Sequence, residues 1–322
     1  MTAFRNEDDG CQLVEAAVRG VHFPPVRARD NPRRRGVPAK TDQLHNDAAG
    51  ISSNQHFKPT KQKVMFTIKQ FSSIALIMAA ALLNLPQNAN AQSSSKGVKN
   101  VVLVHGAFAD GSSWEKVIPL LQAKGYNVIA AQNPLTSLEE DVAAAKRAIA
   151  AMDGPVLLVA HSYGGVVITE AGNDPKVAGL VYVDALIPND GQSVADVIQP
   201  YPPSPGNKEF QQDASGFLSL SLKGINSYFA QDLTAEERKV LYATQIPWAA
   251  KGTVGKISKA AWKDKPSWCI IGLDDETVPP TLTRAEAKML HATTLELKSS
   301  HVPMLSQPNK VAGFIISAAQ TL

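Results

Sequence analysis

The sequence is poor in cysteine, with only Cys11 and Cys269 among its 322 residues. Cys11 lies in an N-terminal stretch that we expect the mature protein to lack, so Cys269 would have no partner and no internal disulfide could form. Cys269 falls inside an apolar run, which favours a buried strand residue over a catalytic thiol. Disulfides are therefore not expected to hold this fold together.

Most of the chain also lacks a large excess of positive or negative charge. The formal net charge is +3, but residues 1–91 carry 12 Lys and Arg against 7 Asp and Glu, whereas residues 92–322 carry 20 against 22. The arginine-rich tract 33–35 has no aromatic or periodic neighbours that would support binding to nucleic acid. We therefore expect no nucleic-acid partner.

A long apolar run is missing as well. Three lysines precede the apolar residues 71–85, and Ala89-Asn90-Ala91 supplies the small residues of a cleavage site. This pattern predicts a signal peptide over residues 61–91, cleaved after Ala91, and hence a periplasmic or secreted protein. Because the apolar core is short for a membrane span, an uncleaved anchor is the second interpretation.

Residues 1–60 show no sustained periodicity and are expected to be a disordered or non-native extension. Signal peptides normally begin at the initiator methionine, and Met65 is well placed to be that residue.

Apolar runs alternate with helical patterns from residue 99 onward, which predicts an α/β domain over residues 92–322. The apolar runs indicate a mostly parallel sheet of about six strands with helices on both faces. The alternation lapses between residues 188 and 266, where eight aromatic residues occur, so we interpret this region as a small, mostly helical cap. No metal-ligand spacing, dinucleotide fingerprint or phosphate loop is present, and we expect no cofactor.

The segment Ala160-His161-Ser162-Tyr163-Gly164 follows a buried apolar run and matches a nucleophile elbow, G-x-S-x-G, except that alanine replaces the first glycine. Such a strained strand-to-helix turn exposes a serine hydroxyl beside main-chain N–H groups. The alternative is a plain turn whose serine caps the next helix.

A nucleophilic serine needs a base and a group that orients the base. His301 follows the last predicted strand, where loops converge in an open α/β sheet, and is the predicted base. The acid is expected from Asp274 or Asp275, which follow the preceding strand, with Asp184 as a further candidate.

These segments together resemble the α/β-hydrolase superfamily, specifically the small-capped esterases related to plant hydroxynitrile lyases and methyl-ester esterases. The resemblance covers roughly residues 99–322 and rests on residues 101–106, the elbow, residues 275–280 and residues 300–306. It implies the α/β-hydrolase fold, Asp275 in preference to Asp274 as the acid, and an oxyanion hole formed by the main-chain N–H groups of Ala107 and Tyr163, with Phe108 as a substitute for Ala107.

The resemblance also implies a serine hydrolase that cleaves carboxylic esters of small molecules. The related lyases carry a threonine where Gly106 stands and a lysine where Val302 stands, so lyase activity is not expected. Thioesterase or perhydrolase activity stays open, as does a non-catalytic binding module, because a fold does not establish a function.

Overall fold

The computed structural model describes residues 97–322. The predicted extension at residues 1–60 and the predicted signal peptide at residues 61–91 lie outside these residues.

A six-stranded sheet in which every neighbouring pair is parallel forms the centre of the described domain. Its strands are β1 (Asn100–Val104), β2 (Asn127–Ala131), β3 (Val156–His161), β4 (Val177–Val183), β8 (Ser267–Gly272) and β9 (Thr293–Leu297). They lie side by side in the order β2-β1-β3-β4-β8-β9. The predicted fold class, an α/β-hydrolase fold with about six mostly parallel strands, is thereby confirmed.

Strands β1 and β3 are buried at every position. Apart from Asn100 at the start of β1 and His161 at the end of β3, both are runs of valine, leucine and alanine without polar alternation, as expected for strands that are covered on both faces. Since the chain moves one way across the sheet from β1 to β2 and the other way from β2 onward, β1 and β3 lie at a topological switch point, where ligands bind in open α/β sheets.

The helices of the domain are α1 (Ile118–Gln122), α2 (Leu138–Ala150), α3 (Gly164–Ala171), α4 (Val194–Ile198), α5 (Leu222–Gly224), α6 (Ala235–Thr244), α7 (Pro280–Met289), α8 (Pro303–Ser306) and α9 (Pro308–Thr321). Right-handed connections place α1 on one face of the sheet and α2, α3 and α7 on the other. Helix α9 packs against α1, and α2 packs against α3, so both faces are covered as predicted.

One helix is shorter than its sequence pattern predicts. The helical spacing of Val117, Leu120 and Leu121 predicts a helix over residues 114–124. The structure instead has a 3₁₀ turn at Gly111–Trp114 followed by α1. Pro119 lies in the first turn of α1. Its ring and its missing N–H prevent a regular helix from continuing through this position from the N-terminal side.

The insertion between β4 and β8 contains more strand than predicted. Residues 188–266 were expected to be mostly helical, yet β5 (Phe210–Gln212), β6 (Phe217–Leu220) and β7 (Trp248–Ala249) form a separate antiparallel sheet. These strands are two to four residues long, which is too short for an alternating pattern to stand out in a sequence. Helices α4, α5 and α6 and a π-helical turn at Ile225–Phe229 complete the insertion, which we call the cap.

Within residues 97–322, no helix is long and apolar enough to cross a bilayer.

Candidate active site

Ser162 occupies the sharp turn between β3 and α3. Its φ is +54°, in the left-handed region that residues other than glycine rarely adopt. Backbone strain of this kind is typical of functional turns. Gly164 allows the turn to sit close to β1, because a Cβ at this position would lie 2.8 Å from the main-chain oxygen of His105. Ala160, the residue that departs from the elbow pattern, is fully buried.

The structure brings Ser162, His301 and Asp275 together in one hydrogen-bonded chain. The Oγ of Ser162 lies 2.8 Å from Nε2 of His301, and Nδ1 of His301 lies 2.6 Å from Oδ2 of Asp275. Since a carboxylate only accepts hydrogen bonds, this geometry assigns the ring proton to Nδ1 and leaves Nε2 free to accept the serine proton. His301 and Asp275 are buried, and Ser162 keeps 8% of its surface exposed.

Asp275 is held in place by its own loop. Its Oδ1 accepts hydrogen bonds from the main-chain N–H groups of Thr277 at 2.7 Å and Val278 at 2.9 Å, so that Oδ2 points to His301. Asp274 is exposed and contributes its main-chain oxygen to a contact with the cap. Of the two neighbouring aspartates, the structure therefore places Asp275 at the histidine.

Asp184, the third candidate acid, lies behind the site. It ends β4 with a φ of +43°, and its Oδ1 accepts a hydrogen bond from the N–H of Gly272 rather than from His301. Burial, together with the nearby charge of Asp275, raises the pKa of Asp184 well above its usual range. Asp184 therefore lies at the end of the sheet, bound to Gly272, and is not the partner of His301.

The two predicted oxyanion residues lie beside Ser162. Tyr163 follows it in the chain, and Ala107 follows Gly106, whose Cα is so near that an added Cβ would lie 2.7 Å from Cβ of Ser162. Within residues 97–322, the main-chain N–H groups of Ala107 and Tyr163 have no hydrogen-bond acceptor. Phe108, directly after Ala107, has a φ of +60°, in the left-handed region.

His105 fixes the turn that carries Ala107. Its Nε2 accepts a hydrogen bond from the N–H of Asn133 at 2.9 Å, so Nδ1 carries the proton and donates to the oxygen of Gly106 at 2.9 Å. Burial lowers the pKa of His105 and keeps the ring neutral.

His161 contacts the base, which the sequence did not reveal. Its Nε2 donates to the main-chain oxygen of His301 at 2.6 Å, and the two rings lie 4.6 Å apart between centroids. Burial is the main reason why the pKa of His161 is well below its usual range, so this ring stays neutral. The side chain of His161 is therefore directed to the loop that carries His301.

Tyr163 is anchored by a residue that the sequence analysis did not single out. Its hydroxyl donates to Oδ2 of Asp141 in α2 at 2.8 Å, and Oδ1 of Asp141 accepts from the N–H of Leu135. Burial raises the pKa of Asp141 to about 6. The tyrosine at the elbow is thus tied to the neighbouring helix.

Aromatic side chains of the cap approach the site from above. Phe108 lies 5.1 Å from Phe210 and 6.2 Å from Trp248 between ring centroids. Trp248 also lies 4.7 Å from Tyr163, and Phe229 lies 5.0 Å from His301. The sequence analysis placed aromatic residues in the cap without showing which of them reach the serine and the histidine.

A parallel sheet with a strained serine at its switch point, followed in the chain by an aspartate and then a histidine at later strand ends, is the arrangement of an α/β-hydrolase. Comparison with protein families agrees with this class. Residues 101–314 match the model of the "Alpha/beta hydrolase family", and the chain belongs to that family.

Individual relatives extend the comparison. The chain is 27% identical over 253 residues to a pyrethroid hydrolase of Sphingobium wenxiniae, an alignment that covers 69% of this chain and 88% of the relative. Among solved structures, it is similar to polyneuridine aldehyde esterase, with a TM-score of 0.60, 20% identity, and coverage of 68% of this chain and 98% of the other. A methylesterase from Arabidopsis, MES16, gives a TM-score of 0.60 at 18% identity, covering 70% and 100%.

Proposed function

We propose that this protein is a serine hydrolase that cleaves carboxylic esters of small molecules. The observation that carries the proposal is the continuous hydrogen-bonded chain from Ser162 Oγ through His301 to Asp275. Three buried or nearly buried groups aligned in this order supply a nucleophile, a base and a group that orients the base. The naming of relatives as hydrolases and esterases supports the same reaction class.

In the first half of the reaction, Nε2 of His301 takes the Ser162 proton while Oγ attacks the ester carbonyl. The negative charge that develops on the carbonyl oxygen is stabilised by the main-chain N–H groups of Ala107 and Tyr163, which have no acceptor within residues 97–322. Protonated His301 then gives its proton to the leaving alcohol. Asp275 stabilises the imidazolium and keeps its orientation throughout.

In the second half, water replaces the alcohol. His301 accepts a proton from the water, which attacks the acyl-enzyme, and the acid product leaves as Ser162 regains its proton. No cofactor takes part in this scheme.

The surroundings of Ser162 favour apolar esters. Phe229 packs against His301, Trp248 packs against Tyr163 of the elbow, and Phe108 and Phe210 extend this aromatic surface. Apolar surface with few polar groups is typical of pockets for small organic molecules. One relative, at 27% identity, is named as a pyrethroid hydrolase.

Replacement of the serine tests the proposal. We expect Ser162→Ala to abolish hydrolysis of a short-chain p-nitrophenyl ester while its circular dichroism spectrum and thermal unfolding stay those of the wild type. Ser317→Ala serves as the matched control, because this exposed hydroxyl in α9 bonds only to its own helix at the oxygen of Phe314. Undiminished turnover by Ser162→Ala would disprove the assignment.

A fluorophosphonate probe separates an enzyme from a binding module of the same fold. We expect the probe to label Ser162, because labelling needs the same attack and the same base as ester cleavage. A non-catalytic module would not react. Lyase chemistry is disfavoured because the chain has Gly106 and Val302 at the positions where the related lyases carry a threonine and a lysine.

We further propose that the mature protein begins after Ala91 and is periplasmic or secreted. The lysines, apolar core and small residues of 61–91 support this. The test is mass spectrometry of the protein recovered from culture medium and periplasm; an intact mass that includes residues 61–91 would contradict cleavage.

A further inference from the structure

The segment that carries the base is held by the cap as well as by the sheet. Asp232 lies in the cap between the π-helical turn and α6, and its two carboxylate oxygens accept hydrogen bonds from the N–H of Ser300, at 3.0 Å, and from the hydroxyl of Ser300. Ser300 is fully buried and directly precedes His301. Asp232 itself is exposed, so its interaction with Ser300 is separate from the packing of the core.

The hydroxyl of Ser300 links the residues that precede and follow His301. While its proton is donated to Asp232, its oxygen accepts a hydrogen bond from the N–H of Val302 at 3.4 Å. The residues on both sides of His301 are therefore linked through one hydroxyl, whose direction Asp232 sets. The main-chain oxygen of His301 is bound in turn by Nε2 of His161.

The residue before Asp232 holds the loop of the acid. Nε2 of Gln231 donates to the main-chain oxygen of Asp274 at 2.7 Å, next to Asp275. Two consecutive cap residues thus contact the base loop and the acid loop at the positions that adjoin His301 and Asp275. We call the pair Gln231-Asp232 the latch.

We propose that the latch is a positioning element which aligns His301 with Ser162 and Asp275 only while the cap is seated, and that Asp232 is its main residue. This inference rests on the proposed hydrolase function. Without Asp232, two buried donors of Ser300 lose their acceptor, and the hydroxyl is free to turn away from Val302. His301 would then sample orientations in which Nε2 does not face the serine.

The proposal predicts a specific kinetic change. We expect Asp232→Ala to lower kcat and the rate of fluorophosphonate labelling about 10- to 100-fold, as displacement of a catalytic group does. The KM should stay within about threefold, because the aromatic residues near Ser162 are untouched. Asp232→Asn should recover activity to within about threefold of the wild type, since its amide oxygen can accept the N–H of Ser300 and its amide nitrogen can meet the hydroxyl.

Asp213→Ala is the matched control. Asp213 is another exposed cap aspartate whose carboxylate accepts two main-chain hydrogen bonds, from Ser215 and Phe217, within its own hairpin. We expect this variant to keep wild-type kcat and labelling. An equal loss of kcat in Asp213→Ala and Asp232→Ala would show a general cap defect and overturn the latch.

A proton NMR signal tests the latch without substrate. The Nδ1 proton shared between His301 and Asp275 should give a low-field resonance in the wild type, identified by its loss in His301→Gln. We expect the resonance to broaden or disappear in Asp232→Ala and to persist in Asp213→Ala. An unchanged signal together with unchanged kcat in Asp232→Ala would refute the proposal.

Two further experimental outcomes also bear on the proposal. If Asp232→Ala does not fold, Ser300→Ala, which removes only the hydroxyl, decides the matter: reduced labelling supports the latch and wild-type labelling overturns it. If the wild type neither hydrolyses esters nor reacts with the probe, the proposed function fails, and the NMR comparison still decides whether Asp232 aligns the histidine with its aspartate.

Discussion

Asp274 and Asp275 are neighbours in the chain but have different surroundings. The carboxylate of Asp275 is buried and oriented by two main-chain N–H groups toward His301, whereas Asp274 is exposed. Either aspartate satisfies the sequence pattern of a carboxylate after a strand. Only the turn at Thr277 and Val278, which binds one oxygen of Asp275, separates them.

We expect Asp275→Asn to reduce kcat by about 10⁴-fold, because the amide stabilises the wrong histidine tautomer. Asp274→Asn should leave kcat within about twofold of the wild type, since its side chain is exposed to solvent. Steady-state hydrolysis of a p-nitrophenyl ester measures both. A larger loss in Asp274→Asn than in Asp275→Asn would reverse the assignment.

The candidate catalytic residues could be predicted from the sequence because they follow the ends of strands. Ser162, His301 and Asp275 each follow a recognisable apolar run, so the parallel sheet alone brings them to one edge. The contacts of Asp141 with Tyr163 and of Asp232 with Ser300 were not predictable, because they join positions 22 and 68 residues apart without any periodic signal.

At the scale of elements, the turn after β1 and the elbow after β3 fit against each other with no spare volume. A Cβ at position 106 would approach Ser162 Cβ to 2.7 Å and the main-chain oxygen of His161 to 3.0 Å. The main-chain atom cannot move without shifting the elbow, so glycine at this position is a steric requirement of the serine's location.

We expect Gly106→Ala to lower kcat about 10- to 100-fold and to destabilise the fold by about 1–3 kcal/mol, because the elbow must shift. Gly313→Ala is the control. This exposed glycine of α9 has nothing within 4 Å of an added Cβ, so alanine should raise the free energy of unfolding by about 1 kcal/mol through helix propensity. Urea denaturation and ester hydrolysis report both effects; a Gly106→Ala enzyme with unchanged kcat would contradict the steric argument.

The strands of the main sheet and the strands of the cap differ in how well the sequence predicts them. Each of the six parallel strands is five to seven residues long, and β1 and β3 at the centre are buried at every position and apolar except for Asn100 and His161 at their ends. The cap strands are shorter and pair with one another. The local sequence pattern therefore did not distinguish them from helix or loop.

At the scale of the whole molecule, buried carboxyl groups make stability depend on pH. Glu286 of α7 is buried, and its Oε1 accepts a hydrogen bond from the N–H of Ile187 at 2.6 Å. Burial raises the pKa of Glu286 to about 8. The folded protein therefore binds a proton that the unfolded chain has released between about pH 4.5 and pH 8, and stability falls as the pH rises through this window.

We expect Glu286→Gln to remove this part of the pH dependence. The glutamine keeps an acceptor for Ile187 but does not ionise, so the variant should be more stable than the wild type at pH 8.5, by at most roughly 5 kcal/mol, and similar to it at pH 4.5. Urea midpoints from pH 4.5 to 8.5 measure the difference. Titration of Asp184 and Asp141 contributes the same pH dependence of stability to the variant and to the wild type. Parallel stability curves for the two proteins would therefore contradict the role of Glu286.

The cap is inserted between two strands that are themselves paired. Register positions Leu180↔Ser267 and Val183↔Ile270 hold the start and the end of the insertion side by side. A segment joined in this way can be exchanged for another cap without breaking the pairing of β4 with β8. The latch limits that freedom: a transplanted cap that lacks a hydrogen-bond acceptor at the position of Asp232 would bring a new pocket and lose the alignment of the base.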